Sequence, residues 1–179
     1  RWTQARRAES SYNTRVRQVA KQVGVIVKGF APDGVLPAHR RPALMKALGD
    51  YATLIGPWAR AVAEYMIADV NRRNAKAWKE QGKEMARGLR REVEYAATGT
   101  GYQILGLIQS LPLKAAERVN KLATEAMISG ERSSTIMQEI MRTGEVTESR
   151  ARMIARTEVS RASTMLTMAR ATYAGSEGY

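Results

Sequence analysis

The chain has 179 residues, 44% of them hydrophobic, with no cysteine and a single histidine, His39. That suffices for one domain, or for a helical core carrying an arm, and it all but excludes disulfides, thiolate zinc sites and cysteine or histidine catalysis. Twenty-nine Lys and Arg against seventeen Asp and Glu give a net charge of +12, which points to a polyanionic partner, either nucleic acid or an anionic membrane.

No apolar run reaches the ~18 to 20 residues of a bilayer span, and the opening "RWTQARRAES" has no apolar core of a secretion signal. A start on Arg1 and an ending "YAGSEGY" read as those of a piece of a longer chain. Phenylalanine occurs once, β-branched alternation is almost absent, and apolar residues recur every three and four positions. The fold class is therefore read as all-α, an elongated assembly of long helices with a basic N-terminal arm. A first helix is predicted over about residues 3–23, with Tyr12, Val16, Val19, Ala20 and Val23 on one face and basic residues on the others. "VGVIVKGFAPDGVLPAHRRP" then concentrates Gly24, Gly29, Gly34, Pro32, Pro37 and Pro42, the mark of a linker or ordered loop, with a short strand over 25–27 as runner-up. Residues 1–41 are thus assigned to the arm and linker, and 42–179 to a helical domain.

Pro42 opens a helix bearing Leu44, Leu48, Tyr51 and Ile55, which Gly56 and Pro57 close while Pro57 opens the next. That next helix is predicted over about 57–97. At 100° per residue its first part gathers Trp58, Ala61, Val62, Tyr65 and Met66, and its second part puts Trp78, Met85, Leu89 and Val93 on nearly the opposite side. The switch at 70–75 fits either a continuous helix with two packing partners or a break near Asn71. "ATGTG" separates it from "YQILGLIQSLP", apolar enough for a core or an interface. Pro112 is expected to start a helix that runs to about Ser129 and ends at Gly130. Thr135 with Gln138 resembles a capping box for a short helix ending at Gly144. A final helix is expected from Thr147 to Ala174, stopped by Gly175. Six of the nine methionines lie from Met127 onward, either as an adaptable contact surface or as core filling.

Two surfaces carry information. On a helical wheel Arg72, Arg73, Lys76, Lys79, Lys83, Arg87, Arg90 and Arg91 share an arc of about 120°. Against them stand only Glu80 and Glu84, which leaves +6, half of the chain's charge. A solvated face whose stems cover apolar neighbours is the plain reading. So complete a segregation favours instead a ridge of roughly 28 Å laid along the phosphates of double-stranded DNA, and an acidic protein partner, such as the wall of a ring, is the third reading. Trp78 lies on the other face, so stacking on single strands is unsupported.

The second surface is the final helix, where Ala151, Ile154, Ala155, Val159, Ala162, Met165, Leu166, Ala169 and Tyr173 form one apolar face with Glu158 near its centre. A carboxylate withdrawn from water costs several kcal/mol unless paired or hydrogen-bonded. Arg161 is the expected partner, Arg156 on the opposite flank is expected to hold a neighbouring helix or another chain, and Thr157 sits at the edge. Glu158 is read as a buried polar latch, against the competing reading that it lies exposed at a groove. The three aspartates, Asp33, Asp50 and Asp69, are scattered and no Gly-rich phosphate loop occurs, so metal-dependent nuclease or nucleotide chemistry lacks its parts; neither enzyme activity, metal nor cofactor is expected.

"VTESRARMIARTEVSRASTMLTMARATYAG" resembles the signature of the phage Mu F-like minor head proteins, the head morphogenesis family of tailed bacteriophages, at Ala155, Arg156, Thr157 and Glu158, then Ala162, Tyr173 and Gly175. Upstream, "IQSLPLKAAERVNKLATEAMISGERSSTIMQEI" is similar to the family's proline-started helix, glycine and short capped helix, so the resemblance covers roughly residue 84 to the end. It implies a minor virion component in few copies, assembled in the host cytoplasm and placed inside the head near the portal. Its implied partners are the portal protein, the major capsid protein, DNA and further copies of itself, and its implied role is in packaging or ejection without enzyme activity. Family members usually continue into a segment with tryptophan, arginines and histidine that is absent here, and residues 1–80 are unmatched. Two alternatives stand beside this reading. One is a membrane-active ejected virion protein with its first 23 residues as an interfacial helix; the other is a fragment of a larger phage enzyme.

Overall fold

The structure, a computed structural model, describes residues 2–81, 90–129 and 134–173, with side chains over 6–78, 97–128 and 135–172. The fold is all-α. Among the described residues six helices follow one another: α1 (Trp2–Phe30), α2 (Arg41–Leu54), α3 (Gly56–Gln81), α4 (Arg90–Ser129), α5 (Ser134–Met141) and α6 (Thr143–Tyr173), with a 3-10 turn at Ala38–Arg40 before α2. No helix is long and apolar enough to cross a membrane among the described residues.

The predicted face of α1 is the face that packs: Tyr12, Val16, Val19, Ala20 and Val23 are all buried. The helix then continues past Val23, because Val27 and Ala31 extend the same four-residue spacing into the core. The residues read as linker or strand, 24–30, are therefore helical, and the turn proper is confined to 31–40. Gly34 marks it, with φ +73° and the Met137 carbonyl group in the space a Cβ would take, so the turn needs glycine for both conformation and space. Gly24 has a different purpose. A Cβ there would lie 3.3 Å from the Gly144 Cα, and one on Gly144 would lie 2.9 Å from the Gly24 Cα, so α1 and α6 cross backbone against backbone. Arg17 pairs with Glu148, and Tyr12 feels the charge of Glu158; the two helices therefore run antiparallel along their length. Far from standing off as an arm, α1 shares both apolar clusters with the rest of the chain.

Ile55 alone separates α2 from α3; Pro57 falls in the opening turn of α3 as expected, but Gly56 begins that helix rather than closing α2, and α3 passes through Asn71 without a break. Its buried face is Ala59, Val62, Ala63, Met66, Ile67 and Val70, whereas Ala61 and Tyr65 are exposed; the Arg15 guanidinium sits 4.2 Å from the centre of the Tyr65 ring instead. The predicted stripe was thus rotated by about one residue. The single helix expected over 57–97 does not form. Gly56 faces Gln109 and Ile67 faces Gly101, so α3 and α4 lie antiparallel, and Gln109 donates from Nε2 to the Ala52 carbonyl at 3.2 Å.

Within α4 neither "ATGTG" nor Pro112 interrupts the helix. Ile104, Ile108, Leu111, Ala115, Val119 and Ala123 recur at helical spacing and are all buried, and each such aliphatic residue larger than alanine contributes about 1.5–3 kcal/mol of burial. Together they outweigh the roughly 1 kcal/mol of a helical glycine and the ~3 kcal/mol of an internal proline. At the other end, α6 begins four residues before Thr147, which turns back to donate its hydroxyl to the Thr143 carbonyl at 2.7 Å. Gly144 belongs to the first turn of α6 rather than to the end of α5, and Thr135 falls inside α5 rather than capping it. The expected stops Gly130, Ala174 and Gly175 lie outside the described residues.

Candidate nucleic-acid interface

Of the eight cations assigned to the ridge, Lys83 and Arg87 lie outside the described residues, and Lys79, Arg90 and Arg91 are described only as backbone. Arg72, Arg73, Lys76 and Lys79 belong to α3 and Arg90 and Arg91 to the returning α4. One straight 28 Å rod bearing all eight is therefore replaced by an antiparallel hairpin, and residues 72–79 and 90–91 occupy the same end of it. The wheel assumed one helix, and the antiparallel packing of Ile67 against Gly101 is what removes that assumption.

The described part of the ridge is also partly neutralised. Asp69, only 4% exposed, accepts from the Arg72 guanidinium and from Arg73 Nε at 2.9 Å. Burial alone would raise this carboxyl, but the hydrogen bonds and charges of Arg73 and Arg72 outweigh it and hold it below the usual carboxylate range. Asp69 lies three residues before the basic run, so a count begun at Arg72 misses it. Arg72 nevertheless keeps most of its side chain in water, and Lys76 is exposed with no ion pair among the described residues.

Beside this end of α3 lies a polar cluster that sequence reasoning did not find. Arg170 of α6 is 5% exposed, and its guanidinium donates to the side-chain carbonyls of Asn71 and Asn74 and to the Leu166 carbonyl at 3.5 Å. Asn74 in turn donates from Nδ2 to Thr167 Oγ1 at 2.8 Å. Burial lowers the Arg170 pKa, and amide oxygens, not a carboxylate, hold the charge. The signal was available: Arg170 follows Val159, Ala162 and Leu166 at helical spacing, on the same stripe that drew attention to Glu158.

Glu158 is itself buried, 5% exposed, which removes the reading of a carboxylate at an open groove. Its expected partner is not there: Arg161 is exposed and pairs with nothing among the described residues, because a long cationic chain on the helix flank loses less by staying hydrated. Glu158 Oε2 has no hydrogen-bond partner among the described residues. Across from it is Tyr12 of α1, whose hydroxyl is likewise buried and unpartnered; burial first, and the Glu158 charge second, raise the Tyr12 pKa. Arg156 and Thr157 face solvent, and Arg156 lines an outer groove between α1 and α6. Exposed guanidinium and ammonium groups set on a rigid helical frame are suited to holding phosphate oxygens, while the hydrogen bonds of Arg170 to Asn71 and Asn74 tie α6 to α3 in that frame. Comparisons of the chain with protein-family models, with curated proteins and with solved structures found no match.

Proposed function

We propose that the chain is a minor structural protein of a tailed bacteriophage head, set inside the capsid near the portal, where it contacts portal or capsid proteins through helical faces and packaged DNA through the phosphate backbone. The observation that carries this reading is unbalanced positive charge on a helical frame. The chain has a net +12, and Arg7, Lys21, Lys28, Lys76, Arg156 and Arg161 are exposed without an ion pair among the described residues. Such a surface repels itself and attracts a polyanion over distances near the Debye length.

Placement in a phage head is supported by the likeness of residues 146–175 to the minor head signature. Burial of Ala155, Glu158 and Ala162 makes those shared positions structural ones. Met127, Met153 and Met168 are exposed, which fits an adaptable protein contact. The membrane alternative has less support, because the apolar face that α1 would give to lipid is occupied by the bundle. The test is duplex binding against salt for the wild type and for a variant with Lys76, Lys79, Lys83 and Arg87 replaced by Glu. Wild-type affinity is expected to fall steeply with salt and the variant's to fall less; a flat profile in both removes the DNA contact.

A further inference from the structure

The antiparallel pair α1 and α6 has a solvent side as well as a core side. On it runs a groove of about 770 Å³, lined by Arg6 and Ser10 from α1 and by Arg152, Arg156, Ser160 and Ser163 from α6. Positions 152, 156, 160 and 163 recur at four, four and three, so they form one ridge, flanking the buried ridge of Ala155, Val159 and Ala162. Three guanidinium groups face the groove against one carboxylate, Glu9. Arg6 and Arg156 form no ion pair among the described residues. Among the described residues Arg152 reaches only Glu148, at 3.4 Å, at the same carboxylate oxygen that Arg17 already holds. Isolated exposed arginines are ordinary solvated charges; convergence of cations and hydroxyls from two helices on one concavity is not explained that way.

We infer that the groove between α1 and α6 binds the sugar–phosphate backbone of duplex DNA, Arg6, Arg152 and Arg156 forking onto phosphate oxygens and Ser10, Ser160 and Ser163 donating hydroxyl hydrogen bonds. This rests on the DNA reading above for its ligand and gives that ligand a second surface, separate from the end of the α3–α4 hairpin. Arginine with serine is the pairing that duplex backbones meet most often in positioning contacts, and the planar fork of arginine fits two phosphate oxygens where lysine offers a point charge. From Arg152 to Ser163 the ridge spans ~16 Å at the helical rise, long enough to meet several phosphates of a duplex that carries one charge per ~1.7 Å of axis. Contacts of this kind fix orientation and carry no base sequence.

The experiment measures binding of a mixed-sequence duplex between 50 and 200 mM salt for four proteins: wild type, Arg6→Ala/Arg152→Ala/Arg156→Ala, the Lys76, Lys79, Lys83 and Arg87 reversal, and the combination. Loss of three phosphate contacts lowers the salt slope by about 2.7, so over that range wild-type affinity falls about 40-fold more than that of the triple variant. The combination is expected to lose both increments. All three arginines are exposed, so the triple variant melts with the wild type, and Arg156→Lys checks the fork by keeping the slope while binding more weakly. A triple variant with the wild-type slope overturns the groove and leaves the DNA reading standing; a wild type without salt-dependent binding overturns both. Inorganic phosphate distinguishes the source of the anion: displacement of the duplex by low millimolar phosphate at constant ionic strength overturns the groove as a backbone site, and persistence of binding supports it.

Discussion

Gly144→Ala tests whether the crossing of α1 and α6 is as close as the backbones indicate. Both Gly144 and Gly106 are helical, so on propensity alone replacing either with alanine stabilises by about 1 kcal/mol. Space reverses the sign at one of them. A Cβ on Gly106 meets nothing within 4 Å, whereas a Cβ on Gly144 lies 2.9 Å from the Gly24 Cα, an atom that moves only if α1 moves. Overpacking typically costs 1–3 kcal/mol, and a backbone obstacle belongs at the upper end, so the net loss at Gly144 is about 1–2 kcal/mol after the propensity gain. For a domain of this size that lowers Tm by roughly 2–8 °C, while Gly106→Ala raises it by roughly 2–4 °C. Thermal unfolding followed by circular dichroism separates the two. A Gly144→Ala protein that melts above the wild type, as Gly106→Ala is expected to, refutes a backbone contact at this crossing.

Tyr12→Phe removes a buried hydroxyl that has no partner and is expected to stabilise by about 1 kcal/mol. Because burial and Glu158 raise the folded-state pKa of Tyr12 above the ordinary tyrosine value of 10.0, the wild type keeps its full stability below pH 10 and loses it as pH climbs above, a loss that Tyr12→Phe should lessen; identical alkaline melting of the two proteins would contradict this. Asp69→Asn should lower stability at neutral pH, and the gap should close as pH falls below about 3.8, because the folded-state pKa of Asp69 is lowered; denaturant titrations at pH 7 and pH 3 measure it. Arg170→Ala leaves the Asn71 and Asn74 carbonyls without their donor and should cost about 3 kcal/mol, with Arg170→Lys restoring little because a single ammonium does not reproduce the fork. Wild-type melting of Arg170→Ala would show that the cluster holds nothing.

What sequence made legible was periodicity. The apolar faces of α1 and α6 fall where the spacing of Tyr12, Val16 and Val19, and of Ile154, Ala155 and Val159, puts them, because burial of many aliphatic groups in register outweighs any local term. For the same reason local breakers misled: Gly24, Gly99, Gly101 and Pro112 each mark a turn in isolation, yet all lie inside helices. The wheel that gathered eight cations failed because it required a single helix where α3 and α4 lie antiparallel, since charge pattern says nothing about direction of the chain. Glu158 was found by asking which polar residue sat on an apolar stripe. The residue it faces was not, because Tyr12 lies 146 positions away in sequence and only the α1–α6 crossing brings it near.

These placements make α6 a helix with two separable tasks. Glu158 and Arg170 look inward, one toward Tyr12 of α1 and one toward Asn71 and Asn74 of α3, and the hydrogen bonds of Arg170 hold the helix against α3. Arg152, Arg156 and Arg161 look outward and touch no part of the core. Arg156 and Arg170 are fourteen positions apart, ~21 Å along the axis, beyond the distance at which substitutions usually couple. Arg170→Ala should therefore lower Tm without changing the salt slope of DNA binding at a temperature where the protein is folded, Arg156→Ala should lower the slope without changing Tm, and the double variant should show the sum of both. Coupling of more than about 0.5 kcal/mol between them would mean that the seating of α6 and its hold on phosphate are one property rather than two.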